Sequence, residues 1–137
     1  MKGRVLLVED DPKVRAAIYM LLADAGYGVI GASSVKTALM HLDVLDLTCV
    51  VLDLHLPNGH GRRVVEELQA KRDDVPVVIL SSFHDSEGWE FPVVSVLEKP
   101  VKKEALIKCV DNAAKHADAI HSLRETTRRM QDITGIV

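Results

Sequence analysis

The stretch Thr48-Cys49-Val50-Val51-Leu52-Asp53, running on into Leu54-His55-Leu56-Pro57-Asn58-Gly59-His60-Gly61, constrains this chain more than any other. A short apolar run bounded by turn residues, with no polar alternation, is the pattern of a strand covered on both faces in a parallel sheet. The run ends on a carboxylate. In an open α/β sheet ligands gather outside the carboxyl ends of the strands, so Asp53 is expected to face a crevice. A second run, Arg4-Val5-Leu6-Leu7-Val8, ends on Glu9-Asp10-Asp11 before Pro12. Two such tips side by side hold a carboxylate cluster, whose members raise one another's pKa. A hard divalent cation relieves the repulsion. Mg²⁺, held by one or two carboxylates plus waters and phosphate oxygens, suits a shallow acidic pocket. Asp53 is then free to act as a nucleophile toward phosphorus. Two further runs supply what such a pocket lacks: Val93-Val94-Ser95-Val96-Leu97 leads to the cation Lys99, and Val75-Pro76-Val77-Val78-Ile79-Leu80 to the hydroxyl of Ser81.

On these residues the chain resembles the receiver domain of bacterial two-component response regulators, over about residues 4–118. The resemblance implies an α/β, flavodoxin-like fold: a doubly wound, parallel five-stranded sheet of order 2-1-3-4-5 with helices on both faces. It implies that Asp53 accepts a phosphoryl group from a sensor histidine kinase or a phosphotransfer protein, with Lys99 and Ser81 binding the phosphoryl oxygens. Mg²⁺ is implied on Asp10, Asp53 and the backbone carbonyl of His55, with Glu9 acting through a water on the metal. A cis peptide is implied at Lys99-Pro100. The expected output is a conformational shift in the surface around residues 82–98 and the last helix, so the chain is no enzyme beyond assisting its own phosphorylation and dephosphorylation. Two other readings stand beside this one. The first is a receiver-shaped module that binds partners regardless of phosphate. The second is a metal-dependent phosphohydrolase with Asp53 as nucleophile, although its usual second acid two residues later is His55 here.

The rest of the chain sets the frame. A length of 137 residues allows one domain with a sizeable core. With a net charge of −3, neither nucleic acid nor an anionic membrane is an expected partner. No apolar run approaches a membrane span, and Met1-Lys2-Gly3-Arg4 leads into a strand rather than a signal peptide, so a cytoplasmic location is expected. Cys49 and Cys109 lack metal or redox spacing and read as buried free thiols. Gly26-Tyr27-Gly28-Val29-Ile30-Gly31 matches the dinucleotide-binding glycine pattern, but a helix precedes it and a strand follows, the reverse of what that motif requires.

Asp11 before Pro12 is an N-cap followed by proline at the first helical position, opening a helix to about Ala25. Ser33 or Ser34 caps a second helix through about Leu45, and a third runs from about Arg62 to Lys71. Only 17 residues separate Ser81 from Lys99, fewer than the family ordinarily uses, and Gly88 and Pro92 interrupt them. The fourth helix is therefore expected to be reduced or absent, and the family's switch aromatic aligns with Val96. Phe83, Trp89 and Phe91 in this segment either cover sheet surface or form a docking patch. A last helix is expected from about Lys102 to Met130, about 40 Å long at ~1.5 Å per residue. Residues 1–118 form the receiver in this reading and 119–137 a helical extension or linker. Leu123, Thr127 and Met130 can continue the apolar stripe, and two readings compete for this projecting part: a coiled-coil linker that pairs two copies into a homodimer, or a frayed stub of a longer protein.

Overall fold

A computed structural model describes residues 2–56, 59–72, 74–81 and 94–134. The elements follow in the order β1 (Arg4–Val8), α1 (Pro12–Asp24), β2 (Gly28–Ala32), α2 (Val35–Leu39), β3 (Leu47–Asp53), β4 (His55–Leu56), β5 (Gly59–His60), α3 (Arg62–Lys71), β6 (Val77–Ser81), β7 (Val94–Glu98) and α4 (Lys103–Thr134). The five apolar runs form one parallel sheet in the order β2-β1-β3-β6-β7, and β4 and β5 pair as a separate antiparallel hairpin. With the two hairpin strands left out of the count, this is the expected 2-1-3-4-5. The segment expected to lack a fourth helix, with Phe83, Trp89 and Phe91, lies outside the described residues, as do Pro57 and Asn58.

The sheet is wound on both faces because each central strand is apolar on both. Leu6, Val8, Val50 and Leu52 point to one side, where they meet α2 and α3 through Val35, Ala38, Val64, Val65 and Leu68. Val5, Leu7, Val51, Val78 and Leu80 point to the other, against Ile18 and Leu22 of α1 and Leu106, Val110 and Ala113 of α4. Full burial of each such side chain contributes about 1.5–3 kcal/mol. Cys49 is buried in β3, and burial pushes its thiol pKa up to about 12. Cys109 of α4, expected to be buried, is only half-buried, packed against the edge of the core cluster.

Helix boundaries follow the capping chemistry. Asp11 accepts from the amides of Lys13 and Val14, and Pro12 occupies the first turn of α1. Ser34, rather than Ser33, caps α2 by accepting from the Thr37 amide. The second helix is shorter than its apolar spacing predicts and ends at Leu39. Beyond it the chain tightens into turns, with Met40, His41 and Val44 amides bonding to carbonyls three residues back. The Arg72 guanidinium binds the carbonyl of Val44 and reaches those of Leu42 and Leu45 at 3.5 Å, so side-chain donors replace a helical ladder there. Asp74, itself buried, holds that arginine at 3.4 Å and receives His121 Nε2 of α4 at 3.1 Å.

α4 is buried through Leu106, Val110, Ala113 and Ala117, whereas every residue from His121 to Gln131 is exposed. It therefore runs past the sheet, as its length predicts. The turn after α2 separates two chemically identical leucines: Leu42 is buried, and Leu45 is 93% exposed. Leu42→Ala is expected to cost ~2–5 kcal/mol of stability, and Leu45→Ser to stay within ~0.5 kcal/mol. Denaturant midpoints of the two variants measure the difference.

Candidate functional site

Strand register assembles the site. Val8 of β1 lies opposite Leu52 of β3, so Glu9 and Asp53 leave their strands at the same level. Asp53 in turn lies opposite Leu80 of β6, which puts Ser81 one residue further out, and Ser81 lies opposite Glu98 of β7. The Lys99 amide donates to the Ser81 carbonyl at 2.9 Å, extending that alignment by one residue. The Lys99-Pro100 peptide that follows is cis. Four neighbouring strands thus end on Glu9-Asp10, Asp53, Ser81 and Lys99, each delivered by its own apolar run.

Glu9 is 1% exposed and Asp53 5%, while Asp10 faces solvent. One carboxylate oxygen from each of the three lies within 4.8 Å of the others. Lys99 Nζ donates to Asp53 Oδ2 at 2.9 Å and reaches Glu9 Oε1 at 3.4 Å. Asp53 Oδ1 accepts the His55 amide at 3.0 Å, and Glu9 Oε2 accepts that of Asp10 at the same distance. Ser81 is fully buried at its strand tip. The His55 backbone is held beside Asp53 by that amide bond, whereas its imidazole points outward on the β4–β5 hairpin, 5.9 Å from the ring of His60.

The loop wraps closely around the acid. Leu54 O accepts the Gly61 amide at 2.8 Å. A Cβ at position 61 would stand 2.7 Å from the Asp53 carbonyl oxygen and 3.0 Å from Leu54 Cα, so backbone leaves room there only for glycine. The Arg72 clamp on the α2 turn went unread in the sequence. Its only local signal, an arginine two residues before an aspartate at the start of a strand, does not name the carbonyls it binds.

The electrostatics divide the two buried acids. Burial pushes the Glu9 carboxyl up to about 7, and the neighbouring Asp53 charge adds to the rise. Burial also pulls Asp53 upward, but hydrogen bonds from the Glu9 carboxyl, the Lys99 ammonium and the His55 amide outweigh it and leave its pKa lowered. Burial opposes the charge of Lys99 too, and its pairing with Asp53 prevails, so the ammonium is held more firmly than usual. Without a metal, one proton is therefore shared on the Glu9 side of the pair. The donor set of three carboxylates, one of them open to water, consists of hard oxygens and fits Mg²⁺.

A pH dependence follows for metal-free protein. The folded-state pKa of Glu9 lies above its ordinary 4.5, so this group's stabilisation is complete below about 4.5 and is lost as pH rises through about 7. Asp53, with a lowered pKa, acts oppositely and only below its ordinary 3.8. In chelator, the denaturant midpoint is expected to fall as pH rises from 4.5 through about 7, and Glu9→Gln to flatten that fall.

The profile of the family described as response regulator receiver domain matches residues 5–111. Transcriptional regulatory protein FixJ of Bradyrhizobium diazoefficiens is 27% identical over 121 residues, which are 85% of this chain and 59% of FixJ. Transcriptional regulatory protein GlrR of Escherichia coli is 32% identical over 116 residues, 81% of this chain and 26% of GlrR. The chain thus spans only part of the length of these relatives. Among solved structures, full-length FixJ from B. japonicum superposes with a TM-score of 0.79 at 26% identity, covering 89% of this chain and 62% of that one. A receiver domain protein from Clostridium thermocellum, at a TM-score of 0.80 and 22% identity over 86% of this chain and 98% of its own, shares the fold. The chain belongs to the response regulator receiver domain family.

Proposed function

We propose that the chain is a phosphoacceptor switch in which Asp53 takes a phosphoryl group from a phosphohistidine on a sensor kinase or phosphotransfer protein. The observation that carries this reading is the placement of Lys99 Nζ 2.9 Å from Asp53 Oδ2, beside the carboxylates of Glu9 and Asp10. Asp53 attacks phosphorus through a carboxylate oxygen, the phosphorus–nitrogen bond breaks, and the imidazole departs. Its lowered pKa keeps the attacking oxygen unprotonated. Lys99 and the Ser81 hydroxyl bind the phosphoryl oxygens, and the His55 amide fixes the rotation of the Asp53 carboxylate. Asp10, Asp53 and the His55 carbonyl would hold Mg²⁺, with Glu9 behind it through water. The ion supplies positive charge against the phosphoryl oxygens.

The partner has a surface to meet. An apolar cavity of about 540 Å³, lined by Val14, Ala17, Ile18, Leu21, Pro100 and Val101, opens beside Lys99. On this reading its apolar walls would take side chains of the helix that carries the phosphohistidine. Residues 1–118 act as the receiver and 119–137 as the extension, a division supported by the end of burial at Ala117. Among the described residues, no helix is long and apolar enough to cross a membrane.

The extension serves as a pairing helix. Leu123 and Met130, 69% and 63% exposed, lie with Ile120 and Thr127 at alternating spacings of three and four, and among the described residues they are left uncovered. A second copy of the same helix completes such a stripe. Glu125 and Arg129 pair at 2.6 Å within one helix and need no partner of their own.

Incubation with a small phosphodonor and Mg²⁺ tests the main reading. Intact mass is expected to rise by one phosphoryl group, labile to hydroxylamine, and Asp53→Asn to show no gain. No adduct on the parent protein would favour a phosphate-independent interaction module, and multiple turnover of an organic phosphate a hydrolase. For the extension, sedimentation is expected to give a dimer that Leu123→Glu converts to a monomer, with the phosphodonor reaction of the variant unchanged.

A further inference from the structure

We propose that His55 and His60 form a two-imidazole clamp for a borderline divalent transition metal ion, of the class of Zn²⁺, Ni²⁺ or Cu²⁺, on the outer side of the loop that wraps Asp53. The two residues lie directly opposite each other in the antiparallel β4–β5 pair. Cross-strand neighbours present their side chains on the same face, with Cβ atoms about 4.5–5.5 Å apart. Both are exposed, so the two rings are open to an ion from solvent.

The ring geometry matches a shared ion. A metal–nitrogen bond of about 2.0–2.1 Å and a ring centre about 1.1 Å beyond it separate two imidazole centroids by roughly 4.5 Å at a right angle and roughly 6.4 Å in line. The observed centroids are 5.9 Å apart, at an interplanar angle of 79°. An ion between the rings would take one nitrogen from each, and waters would complete its coordination. Imidazole selects Zn²⁺, Ni²⁺ or Cu²⁺ over the hard Mg²⁺ that suits the carboxylates below, so the two sites divide metals by chemistry.

The clamp has a specific consequence for the backbone. Neutral His60 has its lone pair on Nδ1, where it accepts the Arg62 amide at 3.0 Å at the start of α3. An ion takes over that lone pair, or takes Nε2 once the proton has moved to Nδ1; either way the bond to Arg62 opens. On the other strand the His55 amide donates to Asp53 Oδ1. Metal on the clamp therefore reaches the head of α3 through His60, while neither ring belongs to the phosphoryl machinery.

Zn²⁺ titration of the full chain in saturating Mg²⁺, followed by calorimetry and by amide and imidazole resonances, tests this. The parent protein is expected to bind one Zn²⁺, with shifts centred on His55, His60 and the Arg62 amide. Asp53→Asn is expected to bind as the parent does. His60→Asn is expected to lose the binding over the same concentrations while keeping its phosphodonor reaction in Mg²⁺, and His55→Asn to lose it likewise. Undiminished binding by His60→Asn, loss of binding in Asp53→Asn, or no binding by the parent would each overturn the clamp.

Discussion

One ammonium standing against two buried carboxylates is the interaction on which the rest of this molecule depends. Charges 4.8 Å apart at most, as in the Glu9, Asp10 and Asp53 group, repel by roughly 3 kcal/mol at an effective dielectric near 20. Lys99 offsets part of that by pairing with Asp53 and Glu9, and the proton held near Glu9 offsets more. The arrangement nevertheless keeps an excess of negative charge over one cation. On the phosphoacceptor reading a divalent ion would offset that excess, and would make room for phosphate charge that the carboxylates alone would repel. Removing the lysine's partners would leave a charge with no counterpart, so the residues are bound to one another energetically as well as in space.

The sheet makes this arrangement affordable by taking its order from four independent strands. Each strand is fixed by apolar contacts on both faces, and a slip of one residue would exchange every inward side chain with an outward one. The polar tips therefore inherit the precision of the core. Lys99, about a third exposed, meets Asp53, which is almost wholly covered, because β7 stands in register with β6 rather than because the two side chains seek each other over a distance. The loop adds a final constraint at Gly61, where backbone passes so close to the Asp53 carbonyl that no side chain fits.

Much of this was legible in the sequence, and the reason is local. An apolar run that stops on a charge announces both a strand and the direction of its tip, and five such runs fix the fold class. Asp11, Pro12 and Ser34 announce helix starts because capping is a contact between near neighbours. The extent of α2 was not legible. Leu42 and Leu45 carry the same letter and both fit a helical spacing, and what separates them is an arginine thirty residues on that binds the carbonyls of the turn. The pairing of His55 with His60 was hidden similarly, since the span from Leu54 to Gly61 reads as loop and its two-residue strands have no apolar alternation to give them away. Interactions between near neighbours leave marks in sequence, and interactions closed by the fold do not.

The last helix shows how the two ends of the molecule are joined. Lys99 is separated from Lys103, the first residue of α4, by three residues, so the side chain that binds Asp53 and the base of the helix share one short connection. The helix then spans 32 residues, about 48 Å at ~1.5 Å per residue. Its first half is anchored by apolar contacts, and His121 Nε2 reaches Asp74 at 3.1 Å. A rigid rod held near one end converts a small rotation at the held end into a larger displacement at the other. On the phosphoacceptor reading, a phosphoryl group that draws Lys99 toward its oxygens acts at the short arm of this lever, and the exposed stripe at Leu123 and Met130 lies on the long one.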